Sequence, residues 1–278
     1  MGNLWHGLKH NRSFQIFTLL VVALFLIAYF APEIAPYNPL RARMRDALLG
    51  PSAKHIFGTD KLGRDLFSRI LCGTSYSLFS VVGLVAMIFA VGTSLGVVAG
   101  YFGGWYDTVI MRISDMMISF PGMILAIAVA GVLGGSLFNA MIALTIVTWT
   151  KYARLSRSMV LKVKKSVFVE AAVVNGGKSL HILVTHILPN ILPMMVVTAA
   201  SDIGGLMMEL AGLSYLGFGS QPPAPEWGLL LNEGRAQFQS APWLMMFPGL
   251  AIFITVVIFN LWGDSLRDVL DPRQKGNG

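Results

Sequence analysis

Two carboxylates stand inside an otherwise apolar run. Asp202 and Glu209 are seven residues apart between Leu188 and Leu213, so on a helix both project from one face. An ionisable group in hydrocarbon is costly and normally faces a polar cavity or a partner. One reading makes the pair line a path for a cationic or zwitterionic solute. The other bonds them to a neighbouring helix, or sets Glu209 near an interface. Asp107, Arg112 and Asp115 flank a second apolar run, and Arg112 and Asp115, three apart, can pair as a structural clamp. His181 and His186, five apart, fall on different faces of a regular helix and make a poor metal pair. Cys72 is the single cysteine, which excludes an intrachain disulfide and a cysteine-rich metal site. Asn175-Gly176-Gly177-Lys178-Ser179 imitates the end of a phosphate-binding loop, but Ala172 stands where that loop needs glycine and no strand precedes it. With no paired nucleophile and base and no zinc motif, no catalytic residue, metal or cofactor is expected.

A longer pattern surrounds that false loop. Glu170-Ala171-Ala172 is followed by Gly176, and the segment ends in Leu188-Pro189. The spacing predicts a short helix, a glycine turn at Gly176-Gly177 and a second short helix leading into the next apolar run. Glycine accepts the left-handed conformation that ends a helix, and the two alanines leave a face another protein can approach.

The elements that position these residues are membrane spans. The chain has 278 residues, of which 55% are hydrophobic and 13% charged, and its mean hydropathy is +0.66. Soluble domains carry about a quarter charged residues. Runs of roughly 20 apolar residues match a hydrocarbon layer of ~30 Å. They predict an all-α polytopic membrane protein with about six transmembrane helices, near residues 14–30, 76–101, 109–133, 137–152, 188–213 and 243–261. The first reads as a retained anchor rather than a signal peptide, because no small-residue cleavage site follows it. A short amphipathic helix is expected around Leu62 to Leu71. Pro121 should kink the third span. The net charge of +7 sits beside apolar runs, which fits membrane lipid and topology and not nucleic acid.

Charge placement also gives an orientation. Lys151, Arg154, Arg157, Lys162, Lys164, Lys165 and Lys178 stand against Glu170 alone between the fourth and fifth spans. The positive-inside rule puts that segment in the cytoplasm and both termini with it. The segment after the first span opposes the rule with Arg41, Arg43, Arg45, Lys54, Lys61, Arg64 and Arg69, partly offset by Asp46, Asp60 and Asp65. Gly92, Gly96 and Gly100 repeat every fourth residue, a small-xxx-small face for close helix packing in lipid. Gly204 and Gly205 mark a similar contact or a bend. The chain divides into 1–75, an N-terminal transmembrane helix plus external segment; 76–265, a transmembrane core holding a cytoplasmic loop at about 154–187; and 266–278, a cytoplasmic tail.

The Glu170-Ala171-Ala172, Gly176 and Leu188-Pro189 spacing resembles the signature loop of binding-protein-dependent ABC importer permeases, departing from it at His186, where the family has an apolar residue. The resemblance extends along the chain. Gly58-Thr59-Asp60, Gly63-Arg64-Asp65, Ser68-Arg69, Gly103-Gly104, Asp107, Met111-Arg112 and Asp115 look like the peptide and nickel branch. So do Gln221-Pro222-Pro223, Pro225-Glu226-Trp227-Gly228, Phe247-Pro248-Gly249, Gly263-Asp264, Leu266-Arg267-Asp268 and Leu270-Asp271-Pro272.

That resemblance implies a type I ABC importer permease fold in a bacterial inner membrane. It implies a homologous second permease subunit, two ATPase subunits and an external solute-binding protein as partners, the last meeting the segment from Tyr215 to Pro242. Glu170, Ala171, Ala172, Gly176, Leu188 and Pro189 would then be the ATPase-coupling loop, with ATP hydrolysed elsewhere. The branch carries dipeptides, oligopeptides, nickel or metal chelates. Tyr152-Ala153-Arg154, Asp202-Ile203-Gly204 and Val132-Leu133-Gly134 lean the sequence toward nickel. The competing class is a gradient-driven secondary transporter or channel using Asp202 and Glu209, although the inverted repeats usual in such carriers are not visible.

Overall fold

A computed structural model describes residues 12–270. The sequence features at 1–11 and 271–278, including Asp271-Pro272, lie outside the described residues. Among the described residues the chain is helical, and its only β-type pairing is an isolated bridge between Thr59 and Asp65. The helices are α1 (Arg12–Ile34), α2 (Leu66–Phe102), α3 (Gly104–Ile118), α4 (Gly122–Leu133), α5 (Leu137–Lys164), α6 (Val167–Val174), α7 (Ser179–Ile182), α8 (Leu188–Tyr215), α9 (Trp227–Gly234) and α10 (Trp243–Leu270). A π-helical turn, Leu183–Ile187, fuses α7 to α8.

Among the described residues four helices are long and apolar enough to cross a membrane: α1, α2, the fused Ser179–Tyr215 and α10 over Trp243–Val269. A fifth crossing follows if α3 and α4 form one broken span. The expected span at 109–133 is therefore not a single kinked helix. It is broken between Ile118 and Gly122, where the two pieces meet at 96°. Proline supplies no N–H and disfavours helical backbone in the residue before it, and Pro121 starts α4 as its N-cap. The expected span at 137–152 lies inside α5, which is 28 residues long but carries Lys151, Arg154, Arg157, Lys162 and Lys164 in its second half.

The amphipathic helix expected at Leu62 to Leu71 is also corrected. Residues 62–65 are not helical, and the helix from Leu66 is the start of α2 itself. Asp65 caps it by accepting from the Ser68 N–H at 2.8 Å. At about 1.5 Å per residue, the 37 residues of α2 span roughly 55 Å, well beyond the hydrocarbon thickness. Residues 75 and 265, the boundaries drawn from the sequence, each lie inside a continuous helix, α2 and α10 respectively.

Packing fixes the helix directions. A side chain on Gly92 would strike Trp149 and Tyr152, one on Gly96 would strike Ala153 and Ser156, and one on Gly100 would strike Arg157 and Val160. Positions ascend together, so α2 and α5 run parallel in close backbone contact along the glycine face. Ser75 and Cys72 reach the Ala28 and Ala31 carbonyls, so α1 is antiparallel to α2. Gly204 packs on Asn260 and Val256 of α10, and Gly263 packs on Ser201, an antiparallel pair; Gly205 faces open space. Leu84, Ile88, Leu144, Met195, Leu210 and Phe259 share the central core.

Two faces result. The basal face holds the start of α1, the ends of α2, α5 and α10, the whole of α6 and the start of α7. The distal face holds the end of α1, residues 35–65, the start of α2, and α9.

Candidate functional site

On the basal face, α5 ends at Lys164 and the chain turns through Ser166 into α6. Gly176 takes φ +76° and reverses the chain into α7, giving the helix–turn–helix that the spacing of Glu170, Ala171, Ala172 and Gly176 predicts. One side of this element is anchored. Val169, Ile182, Leu183 and Ile187 bury against Val97, Val160 and Ile191, with Ala172 and Leu188 partly buried at the edge. The other side is bare: Val167 is 81% exposed, Val174 86% and Leu180 72%, and Phe168 and Val173 are exposed beside them. Glu170, Ala171 and Gly176 share this open side, and Pro189 is exposed at the start of α8.

The π turn alters one reading. His181 and His186 lie edge to face with ring centroids 6.1 Å apart, and Phe168 packs on His186 at 6.5 Å. A wider π turn brings residues five apart onto one face, which a regular helix does not. The pair gains no third ligand, because no cluster of three or more His, Cys, Asp or Glu is gathered among the described residues.

In the helix interior Asp202 is not free. Lys151 Nζ donates to its two oxygens at 2.7 and 2.8 Å, and the Tyr152 hydroxyl donates at 3.0 Å. Glu209, on the same face of α8, is exposed and makes no hydrogen bond or ion pair with the described residues. Sequence reading placed Lys151 among topology charges and missed it as the partner of Asp202. The signal is spacing across helices, which one sequence does not carry. Likewise Asp115 pairs with Arg154 at 2.5 Å, and Asp107 with Arg157, both on α5. Arg112 makes no ion pair with Asp115, so the clamp expected within α3 is instead a clamp from α3 to α5.

The distal face accounts for two further groups of motif residues. Arg64 and Arg69 are buried between Asp60 and Glu233: Arg64 Nε to Asp60 is 2.6 Å, Arg69 Nη1 to Asp60 is 2.7 Å, and Arg69 Nη2 to Glu233 is 2.9 Å. Burial raises the pKa of Glu233, opposed chiefly by Arg64. Glu226 caps α9 by accepting from the Gly228 and Leu229 N–H groups at 2.8 and 2.9 Å. Its pKa too is raised, first by burial, against the lowering effect of those bonds. Trp227 donates from its indole to the Ile70 carbonyl at 3.0 Å, and Gly228 packs on Ala211. Pro225-Glu226-Trp227-Gly228 thus locks α9 onto α2 and α8.

The chain can now be set beside known proteins. Residues 92–276 match the family described as binding-protein-dependent transport system inner membrane component. This chain belongs to that family. Residues 1–51 match the N-terminal TM domain of oligopeptide transport permease C. The dipeptide transport system permease protein DppC of Alkalihalophilus pseudofirmus is 44% identical over 96% of this chain and 88% of its own length. The glutathione transport system permease protein GsiD of Escherichia coli O6:K15:H31 is 46% identical over 98% of this chain and 90% of its own. An inward-facing structure of the MetNI methionine ABC transporter matches with TM-score 0.58 at 18% identity, over 74% of this chain and 98% of that one. The fold is that of an ABC importer permease. The protein is a non-catalytic, multi-pass inner-membrane subunit of a bacterial importer, and ATP is hydrolysed by separate subunits.

Proposed function

We propose that this subunit forms half of the translocation path for a small zwitterionic peptide of dipeptide or glutathione size, and that residues 154–187 receive the push of an ATPase subunit. The coupling half rests on one observation: α6 has an anchored back at Val169 and a bare apolar front at Val167, Val173 and Val174. Burying such a front against a partner is favourable at about 25 cal/mol per Å², and the anchored back transmits displacement into α5 and α8. Glu170, Ala171, Ala172 and Gly176 form the docking surface, and Leu188 and Pro189 begin the helix that it moves. The basal face is then cytoplasmic, as its Lys162, Lys164, Lys165 and Lys178 favour, with both termini on that side. The distal face meets an external solute-binding protein, and a homologous second permease completes the path.

For the substrate, the relatives named above carry dipeptide and glutathione in their names, and the path offers both charges. Glu209 suits an ammonium and Lys151, once released from Asp202, a carboxylate. Of the residues that lean the sequence to nickel, Tyr152, Asp202 and Arg154 have internal work: Tyr152 bonds Asp202 and Arg154 bonds Asp115. Family membership disfavours the gradient-driven alternative.

The test uses the importer assembled with its partner subunits and binding protein in proteoliposomes, supplied with labelled dipeptide, glutathione or nickel. Peptide uptake should be ATP-dependent. Gly176→Asp should abolish it while leaving the chain assembled, and Asp202→Asn should change its rate. Transport of nickel with peptides inert would sink the substrate half. Normal uptake by Gly176→Asp would sink the coupling half, and an unchanged rate in Asp202→Asn would return that residue to a structural role.

A further inference from the structure

The distal face sorts its charges by burial. Asp46, Asp60, Asp65 and Glu226 are buried, and the Glu233 side chain is only 12% exposed. Most of these carboxylates are engaged inside the fold: Asp60 and Glu233 with Arg64 and Arg69, Asp65 with His55 and Ser68, Glu226 with the start of α9. Asp46 has Lys54 at 3.9 Å. Arg41, Arg43, Arg45, Lys54, Lys61 and Arg235 are exposed, against an exposed Glu33 at the end of α1. The surface that reaches solvent is therefore strongly basic.

All of these cations but Arg235 stand on one segment, and that segment is tied to the start of α2. The Arg43 N–H donates to the Leu62 carbonyl at 2.9 Å, and the Leu48 N–H to the Asp60 carbonyl at 3.0 Å. The Leu49 N–H donates to the Thr59 hydroxyl at 2.9 Å, and the Leu66 N–H to the Gly58 carbonyl at 3.0 Å. Gly63, at φ +70°, lies so close to Arg43 that any side chain there would overlap the Arg43 carbonyl. The backbone is thus set before a partner arrives, which lowers the entropic cost of docking. Between the cations the segment bares apolar groups, with Met44 67% and Ile56 54% exposed and Leu40 and Leu49 beside them.

Acyl chains do not cover these groups. The Ser75 hydroxyl donates to the Ala28 carbonyl, which sets the exposed Tyr29 and Tyr76 at one level. Exposed tyrosines at a common level mark the edge of the hydrocarbon. The Tyr37 N–H bonds the Ser68 hydroxyl about two helical turns beyond Tyr76, and Gly58 closes on Leu66 farther out still. Methionine and arginine side by side, bare to water, match the composition of protein interfaces.

We propose that residues 40–61 form an electrostatic docking platform for the external solute-binding protein, whose contacting surface is acidic. The inference rests on the reading of the distal face as external and names where and by what chemistry that partner seats. The family description makes transport dependent on a binding protein, which supports this occupant. The platform shifts the main contact away from the segment Tyr215 to Pro242, where Glu226, Trp227, Leu229 and Leu230 are buried within the subunit. It also accounts for cations on a face that the positive-inside rule leaves poor in them. Opposite charge across the contact steers encounter and fixes orientation.

The experiment measures ATPase stimulation of the assembled importer in nanodiscs of phosphatidylcholine alone. Its binding protein, loaded in turn with dipeptide, glutathione or nickel, is titrated in at low and at high salt. The wild type should half-saturate at a lower concentration in low salt. Arg41→Gln, Arg43→Gln and Arg45→Gln together should raise that concentration roughly tenfold in low salt, the lower end of electrostatic steering. The same variant should lose most of the salt dependence while basal ATPase activity and melting temperature stay unchanged. Met44→Ser should weaken binding at both salts, and Arg12→Gln, on the basal face, should change nothing. Equal half-saturation in the triple variant overturns this inference alone. A wild type stimulated by none of the loaded binding proteins overturns it together with the external placement of the face. A defect that appears only when phosphatidylglycerol is added would assign the cations to lipid headgroups. Loss of the second permease from the triple variant would assign them to a subunit interface. Either result overturns the platform.

Discussion

On the distal face Arg69 has no solvent exposure, and its guanidinium is shared between Asp60 and Glu233. On the basal face Val174 is 86% exposed and Val167 81%. The ordinary arrangement is inverted at both ends, charge buried in one place and hydrocarbon bare in the other. The distal network ties residues 60–69 to residue 233, segments that meet only in the finished fold, and so it holds the ends of α2 and α9 in one arrangement. The basal element is local, a helix, a glycine turn and a second helix within about twenty residues of chain. It is pinned by one buried valine and a few neighbours. The distal network is completed by its own chain. The basal end leaves apolar surface uncovered by its own chain.

The largest break in this contrast is expected at Arg69. Arg69→Met fills a similar space but leaves the carboxylates of Asp60 and Glu233 facing each other with Arg64 alone. Removing one partner of a buried ion network costs about 3–5 kcal/mol, so the purified importer should lose thermal stability and yield. Next comes the glycine face of α2. A side chain on Gly96 meets the Ala153 carbonyl and the Ser156 hydroxyl, and backbone cannot step aside. Gly96→Leu should cost about 3 kcal/mol, the upper end for overpacking, and separate α2 from α5. Gly205→Ala, facing open space, should leave the melting temperature within a degree or two. Equal effects at the two positions would refute the packing account.

How much of this was legible differs between the two ends for a physical reason. The Gly92, Gly96 and Gly100 face, the Gly176 turn and the apolar runs are periodic or local, and periodicity and turn chemistry are what one sequence records. The Asp60, Arg64, Arg69 and Glu233 network, the Lys151 bond to Asp202 and the salt bridges from α5 to α3 join residues far apart in the chain. Their types are visible, but their partners are not. The break at Pro121 lies between these cases. Proline announced a bend, and only the structure gives its size, because Phe120 and Ser119 also leave the helix. The π turn at Leu183–Ile187 was illegible for another reason: no residue type forces it, and it alone changes which face His186 shares.

A smaller effect is expected at Glu226, the distal cap of α9. Burial raises its pKa above the ordinary carboxyl value, so the fold favours the protonated form. That contribution is fully present below the unfolded pKa and is lost as pH rises through the folded one. Glu226→Ala removes the acceptor for Gly228 and Leu229 and should cost about 1 kcal/mol, as N-cap deletions do. Glu226→Gln keeps one acceptor and does not ionise. Its stability relative to the wild type should therefore improve as pH is raised, which melting curves across mildly acidic to neutral pH would test. A difference that stays flat or shrinks with rising pH would contradict the sign.

The smallest effect on stability, and the sharpest on transport, is expected at Val174. Its side chain is almost fully exposed on α6, so Val174→Asp removes no buried contact, and surface changes of this kind usually stay within about 0.5 kcal/mol. If the bare front is where the ATPase subunit seats, however, the new carboxylate must be desolvated on docking, against a surface that offered apolar contact. Burying an unpaired charge is far costlier than losing one valine contact. The variant should insert, melt like the wild type and assemble weakly or hydrolyse ATP without moving peptide. Val169→Asp serves as the contrasting case, because Val169 is 2% exposed and pins the element. It should lower stability and transport together. A Val174→Asp importer that transports at the normal rate would mean that the exposed valines are covered by nothing that drives the cycle, and the contrast between the two faces would lose its functional meaning.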